Sequence, residues 1–299
     1  MSNLSYFDAH CDTLTTGSLH HHIDWNREAC RRRGQIFAIC ADGICQPDLS
    51  FFQTAAARLT AVPNARLCRD GAELEQAVQT GQIAAVLAVE GAETIGCEPE
   101  HLTAAYAAGV RVIGLTHNRF CGLAGTCVDH PSQGLTESGR AFAEQAVALG
   151  MLLDISHLSD AGAYELMDAY PGRVMASHSN ARRLCDHPRN LTDELFLKLL
   201  DAQGICGINL YTRFLTGRED ASADDVVRQI EYLTALDARA VRALALGCDF
   251  DGCDTLPSGV QTSAAVEVLA EALLRRNYSQ ETVERFFFDN LYQFLRRTL

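Results

Sequence analysis

The 299-residue chain holds a single lysine, Lys198, so arginine supplies the other 24 of its 25 Lys and Arg side chains. No run approaches the roughly 18 apolar residues of a membrane span, and Met1 is not followed by the basic-then-apolar pattern of an export leader. A soluble, cytoplasmic protein with no membrane partner is the expectation. No Gly-rich dinucleotide fingerprint or phosphate loop follows any apolar run, which argues against the usual occupants of an open doubly wound sheet. There is no CxxC pair among the twelve cysteines, so a disulfide framework is not expected and most thiols should behave as small hydrophobes. Cys40, Cys206 and Cys248 fall in or at the ends of predicted strands, whereas Cys11 and Cys121 lie beside residues of chemical interest and are candidates for oxidation or stray metal. A net charge of −13 and a pI near 5.2 argue against a nucleic-acid or anionic-membrane partner.

What the chain does have is apolar runs that stop abruptly. Residues 151–155 and 173–176 each end at a Ser-His pair, Ser156-His157 and Ser177-His178. Runs of that length bounded by polar turn signals read as buried parallel strands. Residues 159–170 between them begin with a serine suited to an N-cap and carry Leu166 and Met167 on an apolar stripe, so the unit reads strand, helix, strand. Both imidazoles are then expected on one face of the sheet.

Six more strands are predicted at 4–9, 35–41, 83–89, 110–116, 204–209 and 243–247. Helical spacing covers 51–59, 72–79, 98–108, 136–149, 192–202, 223–236, 263–277 and 279 to the carboxyl end. Residues 119–134 read as a long loop, and so does His20-His21-His22, whose adjacent side chains converge poorly on one ion. Eight strands separated by helices, with no linker, predict an α/β fold: a (β/α)8 TIM barrel as one catalytic domain over residues 1–299, with an open sheet the alternative.

Residues just past the strand ends line the active site of such a barrel. Here they are His10, Asp12, Glu90, His117, His157, His178 and Asp249. Imidazoles and carboxylates from several strand ends make a mixed nitrogen and oxygen donor set suited to Zn2+ or a neighbouring divalent metal. His10 and Asp12 can hold one ion and His157 and His178 a second, with Glu90 bridging. Some barrel hydrolases bridge their ions with a carbamylated lysine, but Lys198 falls in a predicted helix, away from any strand end.

At these residues the chain resembles the membrane (renal) dipeptidases, which are binuclear-zinc barrel hydrolases. The matching segments, in the family's order, are Asp8-Ala9-His10-Cys11-Asp12, Val89-Glu90-Gly91, Leu115-Thr116-His117-Asn118, Asp154-Ile155-Ser156-His157, Ser177-His178-Ser179, Arg189-Asn190 and Gly247-Cys248-Asp249-Phe250-Asp251-Gly252. The loop 119–134, rich in Gly and Cys, is similar to that of bacterial members. The resemblance implies two Zn2+ per chain with ligands at His10, Asp12, Glu90, His157 and His178. It further implies a substrate or intermediate contact at His117, a carboxylate-binding Arg189, and an acid or amine-binding role for Asp249. Tyr211 is placed with the substrate-binding residues, and a homodimer is the family expectation.

Two cations sharing a water lower its pKa toward neutrality and polarise a scissile carbonyl. Asp249 can take that water's proton and pass it to the leaving amine, with Glu90 and His117 completing the catalytic set and His117 donating to the oxyanion. Arg189 suits a free carboxylate, which guanidinium pairs bidentately. The expected function is therefore a zinc dipeptidase for substrates with both termini free. The same ions in a different pocket would cleave N-acyl amino acids or cyclic amides. A catalytically silent metal-binding barrel is a third reading, against which the joint presence of Glu90, His117 and Asp249 argues. The rival role for Asp249 is metal ligand and for Arg189 a solvated surface residue; Asp251 and Asp254 are expected to organise the loop after the last strand.

Overall fold

In the computed structural model, which describes residues 4–16, 22–23, 25, 31–42, 44 and 47–299, the eight expected strands all form. They are β1 (Tyr6–Cys11), β2 (Arg33–Cys40), β4 (Ile83–Glu90), β5 (Val110–Gly114), β6 (Leu152–Asp154), β7 (Val174–Met175), β8 (Cys206–Ile208) and β9 (Leu244–Leu246). A ninth, β3 (Ala65–Leu67), was not expected. Three residues are too few to show alternation, and β3 pairs with the first residues of β4, below the point where β5 joins at Leu87.

All pairings are parallel, in the order β7-β6-β5-β4-β2-β1-β9-β8. A parallel bridge between Ala176 and Cys206, with hydrogen bonds from Ala176 N to Ile205 O and Gly207 N to Ala176 O, joins the two ends into a barrel. Closure demands close backbone approach there: a Cβ on Gly207 or Gly247 would lie 2.0 Å from the Ser177 carbonyl oxygen.

Period-two alternation divides the strands' side chains between two cores. Phe7, Ile36, Ala38, Val86, Ala88, Val112, Leu152, Met175, Ile205 and Ala245 share one buried cluster with Phe288, Leu291, Phe294 and Leu295 near the carboxyl end. Phe37, Ile39, Leu87, Val89, Ile113, Leu153 and Leu246 belong to the other, which includes the apolar stripes of the surrounding helices. Those helices start where the sequence supplies caps: Ser159 Oγ accepts from Gly162 N, and Thr192 Oγ1 from Leu195 N. The expected final helix is interrupted by a π turn, Arg285–Asp289, which buries Phe286, Phe287 and Phe288. Lys198 pairs with Asp168 on the outer helices, far from the strand ends that a bridging lysine would need. Among the described residues, no helix is long and apolar enough to cross a membrane.

Candidate active site

Following the inward columns upward, apolar residues give way to donors. Ala88 is succeeded by Glu90, Ala38 by Cys40, Leu152 by Asp154 and Met175 by Ser177; Ala245 leads through Gly247 to Asp249. Strand β1 departs from this parity, because Phe7 and Ala9 are odd while His10 and Asp12 are even. Its register against β2 slips between Asp8 and Cys11, and the slip turns His10 and Asp12 to the mouth.

Glu90 is the centre of the cluster. Its Oε1 lies 2.8 Å from His157 Nε2, 3.4 Å from His178 Nε2 and 3.9 Å from His117 Nε2; its Oε2 lies 3.6 Å from His10 Nε2. His10 Nε2 is 3.2 Å from Asp12 Oδ2 and 4.0 Å from Asp249 Oδ1. His10 and His178 pack ring against ring at 3.8 Å. The sequence thus named a set that the fold does bring together, from Asp12 to Asp249. His157 and Asp249 both hold left-handed backbone, φ 77° and 61°, a conformation rare for residues with a Cβ and frequent at functional sites.

Neighbouring residues fix how the imidazoles face. His157 Nδ1 is 3.1 Å from Asn118 Oδ1, and His178 Nδ1 is 2.7 Å from Ser177 Oγ. With Nδ1–H donated in each case, both Nε2 lone pairs point toward Glu90, only 3.1 Å apart. Ser177 Oγ in turn bonds Asp154, whose Oδ1 accepts from the backbone N–H groups of Ser156 and Ser177. Asp249 is held by Asn209 Nδ2 at 3.0 Å. The sequence reading missed the orienting roles of Asn118, Asp154, Ser177 and Asn209. The available signal was the repeated serine before each histidine and the even spacing of Asp154 and Ser156.

Burial pushes His157 and His178 well below the ordinary imidazole range, so both are neutral and able to donate lone pairs. Burial, reinforced by the Glu90 charge, pushes Asp12 up to about 8 and is the main cause lifting Asp249 to about 6. Glu90 is itself buried, but His10 and His117 hold it well below the carboxylate range. Asp12 Oδ1 is buried without a hydrogen-bond partner. Converging lone pairs, carboxylates too crowded to ionise together and an orphaned oxygen fit a divalent cation. The groups His10, Glu90, His178 and His10, Asp12, Asp249 each bring three donor atoms within 4.8 Å of one another.

Beside this cluster lies a cavity of about 270 Å3 lined by Asp12, Cys40, Asp42, His117, Arg189, Tyr211, Phe214 and Asp249 among others. Arg189 is 5 % exposed, not a solvated surface residue: Nη2 lies 3.1 Å from His157 Nε2, the guanidinium carbon is 5.5 Å from the Phe214 ring centre, and Nε has no partner. Tyr211 lines the same cavity and heads the short helix Thr212–Thr216. His117 is anchored through its backbone N–H, which donates to Glu93 Oε1 at 3.0 Å. Asp251 takes the expected part in the loop, bonding Thr13 Oγ1 and the backbone of His22. His20 and His21 lie outside the described residues.

A family model described as membrane dipeptidase, peptidase family M19, matches residues 49–298. An uncharacterised protein in the pqqA 5′ region of Klebsiella pneumoniae is 34% identical over 235 residues, covering 75% of this chain and 86% of that protein. Dipeptidase aclJ of Aspergillus oryzae is 34% identical over 204 residues, 67% of this chain; the match spans about half of that relative, 48%. Among solved structures, a metallo peptidase from Rhodobacter sphaeroides, liganded with a phosphinate mimic of the dipeptide L-Ala-D-Ala, shares the fold. Its TM-score is 0.86 at 24% identity, over 99% of both chains. With most of its length inside the matched span, the chain belongs to the membrane dipeptidase family, the metallo-dipeptidases of peptidase family M19.

Proposed function

We propose that this protein is a zinc dipeptidase that cleaves the peptide bond of dipeptides whose amino and carboxyl ends are both free. The observation that carries the reading is the position of Glu90, with His157 and His178 at one carboxylate oxygen and His10 at the other. His10 and Asp12 would hold one Zn2+, His157 and His178 a second, with Glu90 shared between them. Ions bound there supply a water acidic enough to ionise near neutral pH and polarise the peptide carbonyl.

The remaining steps belong to the chain's own groups. Asp249, steadied by Asn209, takes the proton from the attacking water and returns it to the leaving amine, an effect typically worth ~10²–10⁴-fold. His117 donates to the oxyanion as the carbonyl becomes tetrahedral. Arg189, with Nε unpaired and buried, receives the substrate carboxylate, and Tyr211 closes that side of the cavity. A longer peptide presents an amide where the guanidinium needs a charge, and the cavity of about 270 Å3 lies just below the usual range of ligand sites, roughly 300–1,000 Å3.

A panel of dipeptides assayed with added zinc tests the reading, hydrolysis of free-ended dipeptides being expected. Preference for N-acetylated substrates over free amines would move the assignment to an amidohydrolase of N-acyl amino acids. We place the protein in the cytoplasm, as a homodimer working through one barrel domain over residues 1–299; cell fractionation and mass in solution test this.

A further inference from the structure

One fully buried carboxylate takes no part in the steps above. Phe7 and Ala9 point into the barrel, so Asp8 between them faces outward, on the side where Tyr6, Cys11 and Cys248 join the core under the helices. A carboxylate taken from water into such surroundings needs hydrogen bonds in return. Asp8 Oδ1 accepts from the backbone N–H of Cys248 at 2.8 Å and of His10 at 3.3 Å, and Oδ2 accepts from the Tyr6 hydroxyl at 3.0 Å.

These bonds fall where the strand register slips. Asp8 pairs with Gln35 of β2 and Leu246 of β9, and pairing resumes only at Cys11, opposite Phe37 on one side and Phe250 on the other. The slip turns His10 and Asp12 to the mouth, and the Asp8 carboxylate spans it, receiving one N–H from beyond the slip and one from the residue before Asp249. Above it the backbone closes up again, Asp249 N donating to His10 O and Asp12 N to Phe250 O.

Asp154 repeats the pattern at the end of β6. Its Oδ1 accepts from the N–H two residues on, Ser156, and from the neighbouring strand end, Ser177, while its Oδ2 accepts from a hydroxyl, that of Ser177. Two carboxylates thus stitch two pairs of strand ends. One pair carries His10, Asp12 and Asp249, the other His157 and His178. Each includes a residue with left-handed backbone, Asp249 and His157. Ser177 Oγ also comes within 3.5 Å of His10 Nδ1, so the Asp154 clamp touches both halves, whereas the Asp8 bonds stay within β1 and the segment after β9.

We propose that Asp8 is a positioning residue for one half of the site: it holds His10 and Asp12 in place for their ion and leaves the His157–His178 half to Asp154. This rests on the two-ion reading above. Its consequence is that the two ions answer to different buried carboxylates, neither of which offers them an oxygen.

The test is calorimetric titration of the metal-free full chain with Zn2+, without substrate, in two backgrounds that each keep one ion: His178→Ala for the His10–Asp12 ion and His10→Ala for the other. Adding Asp8→Ala is expected to weaken the remaining step about 10–100-fold in the first background, the usual range for groups that hold ligands from outside, and to leave it unchanged in the second. Asp8→Asn should restore the first, because its Oδ1 accepts the same two N–H groups and its Nδ2 donates to the Tyr6 oxygen. Weakening in both backgrounds, weakening in neither, or failure of Asp8→Asn to restore binding overturns the proposal. Where Asp8→Ala does not fold, Tyr6→Phe decides by the same pair of titrations: weakening confined to the first background supports the proposal and any other pattern overturns it. An unsubstituted chain that takes up fewer than two ions overturns the two-ion reading and the proposal together, whereas two ions in that chain with the wrong pattern in the variants overturn the proposal alone.

Discussion

Halfway up the barrel the inward columns change character. Below, Val86, Val112, Leu152, Met175 and Ile205 pack against Phe288 and Leu291; above, the same columns end in Glu90, Thr116, Asp154, Ser177 and Asn209. The lower layer is satisfied by packing alone, so any set of hydrophobes of the right volume would serve it. The upper layer contains carboxylates that cannot all ionise, lone pairs 3.1 Å apart and two residues with left-handed backbone. Stability is built in one and spent in the other, and the separation allows each to be altered with little effect on the other.

The largest break in that contrast comes from Glu90 and Asp249, which belong wholly to the upper layer. Glu90→Gln removes the charge that faces all four imidazoles and is expected to lower zinc content as well as turnover, read by metal analysis beside the dipeptide assay. Asp249→Asn should keep its zinc and lose about 10²–10⁴-fold in kcat. Full activity in Asp249→Asn would remove it from proton transfer. Arg189→Lys comes next: it exchanges a planar, preorganised guanidinium for a point charge, and loss of a charged hydrogen bond worth about 1.5–3 kcal/mol should lower kcat/KM by roughly 10–100-fold, mostly through KM. An unchanged KM would place the substrate carboxylate elsewhere.

The two layers were not equally legible from sequence. Abrupt endings of apolar runs at His10, Glu90, His117, His157 and His178 announced the upper layer, because a donor at the end of a buried strand has few structural reasons to be there. Eight strands were visible as apolar runs, although β6 and β7 are shorter than their runs: Met151 and Ile155 are buried beyond the ends of β6, and Ala176 pairs only through its isolated bridge to Cys206. Strand β3 was invisible because Ala65, Arg66 and Leu67 are half-buried and carry no pattern. The orienting bonds of Asn118, Asp154 and Asn209 were also out of reach. They link residues 23 to 40 positions apart through side chains whose types are common in loops.

Ser177→Ala sharpens the comparison from inside the upper layer. The hydroxyl links Asp154 to His178 Nδ1 without facing the cavity, and partners of this kind typically change metal affinity by about 10–100-fold. Zinc should leave this variant at lower chelator concentration, while kcat at saturating zinc stays close to that of the parent. A change in kcat alone would count against the orienting role.

The pH dependence of stability gives a smaller effect with a definite sign. Asp12 and Asp249 are raised in the folded, metal-free protein to about 8 and about 6, against 3.8 for an ordinary aspartate. Between those limits the folded state binds more protons than the unfolded chain, so their contribution is complete below about pH 4 and is lost as pH rises through 6 to 8. Divalent ions displace the same protons. The gap in melting temperature between zinc-loaded and chelator-stripped protein should therefore be wider at pH 8 than at pH 6, and a narrower gap would show that the two carboxyls do not carry the linkage.

The smallest effect on turnover is expected where the effect on stability is large. Met175→Ala removes a fully buried side chain from the lower layer, two residues before Ser177 in the same column. Truncations of this kind cost about 2–5 kcal/mol, because the surroundings relax only part of the way into the cavity. Strand β7 is held on one side by β6 and on the other by the Ala176–Cys206 bridge, and Ser177 is fixed by two bonds to Asp154, so the collapse should stop below the donors. Denaturant unfolding should show the full loss, with kcat and zinc content unchanged at a temperature where the variant remains folded. A parallel fall in kcat would mean that packing below the cluster sets its geometry, and that the two layers are one mechanical unit.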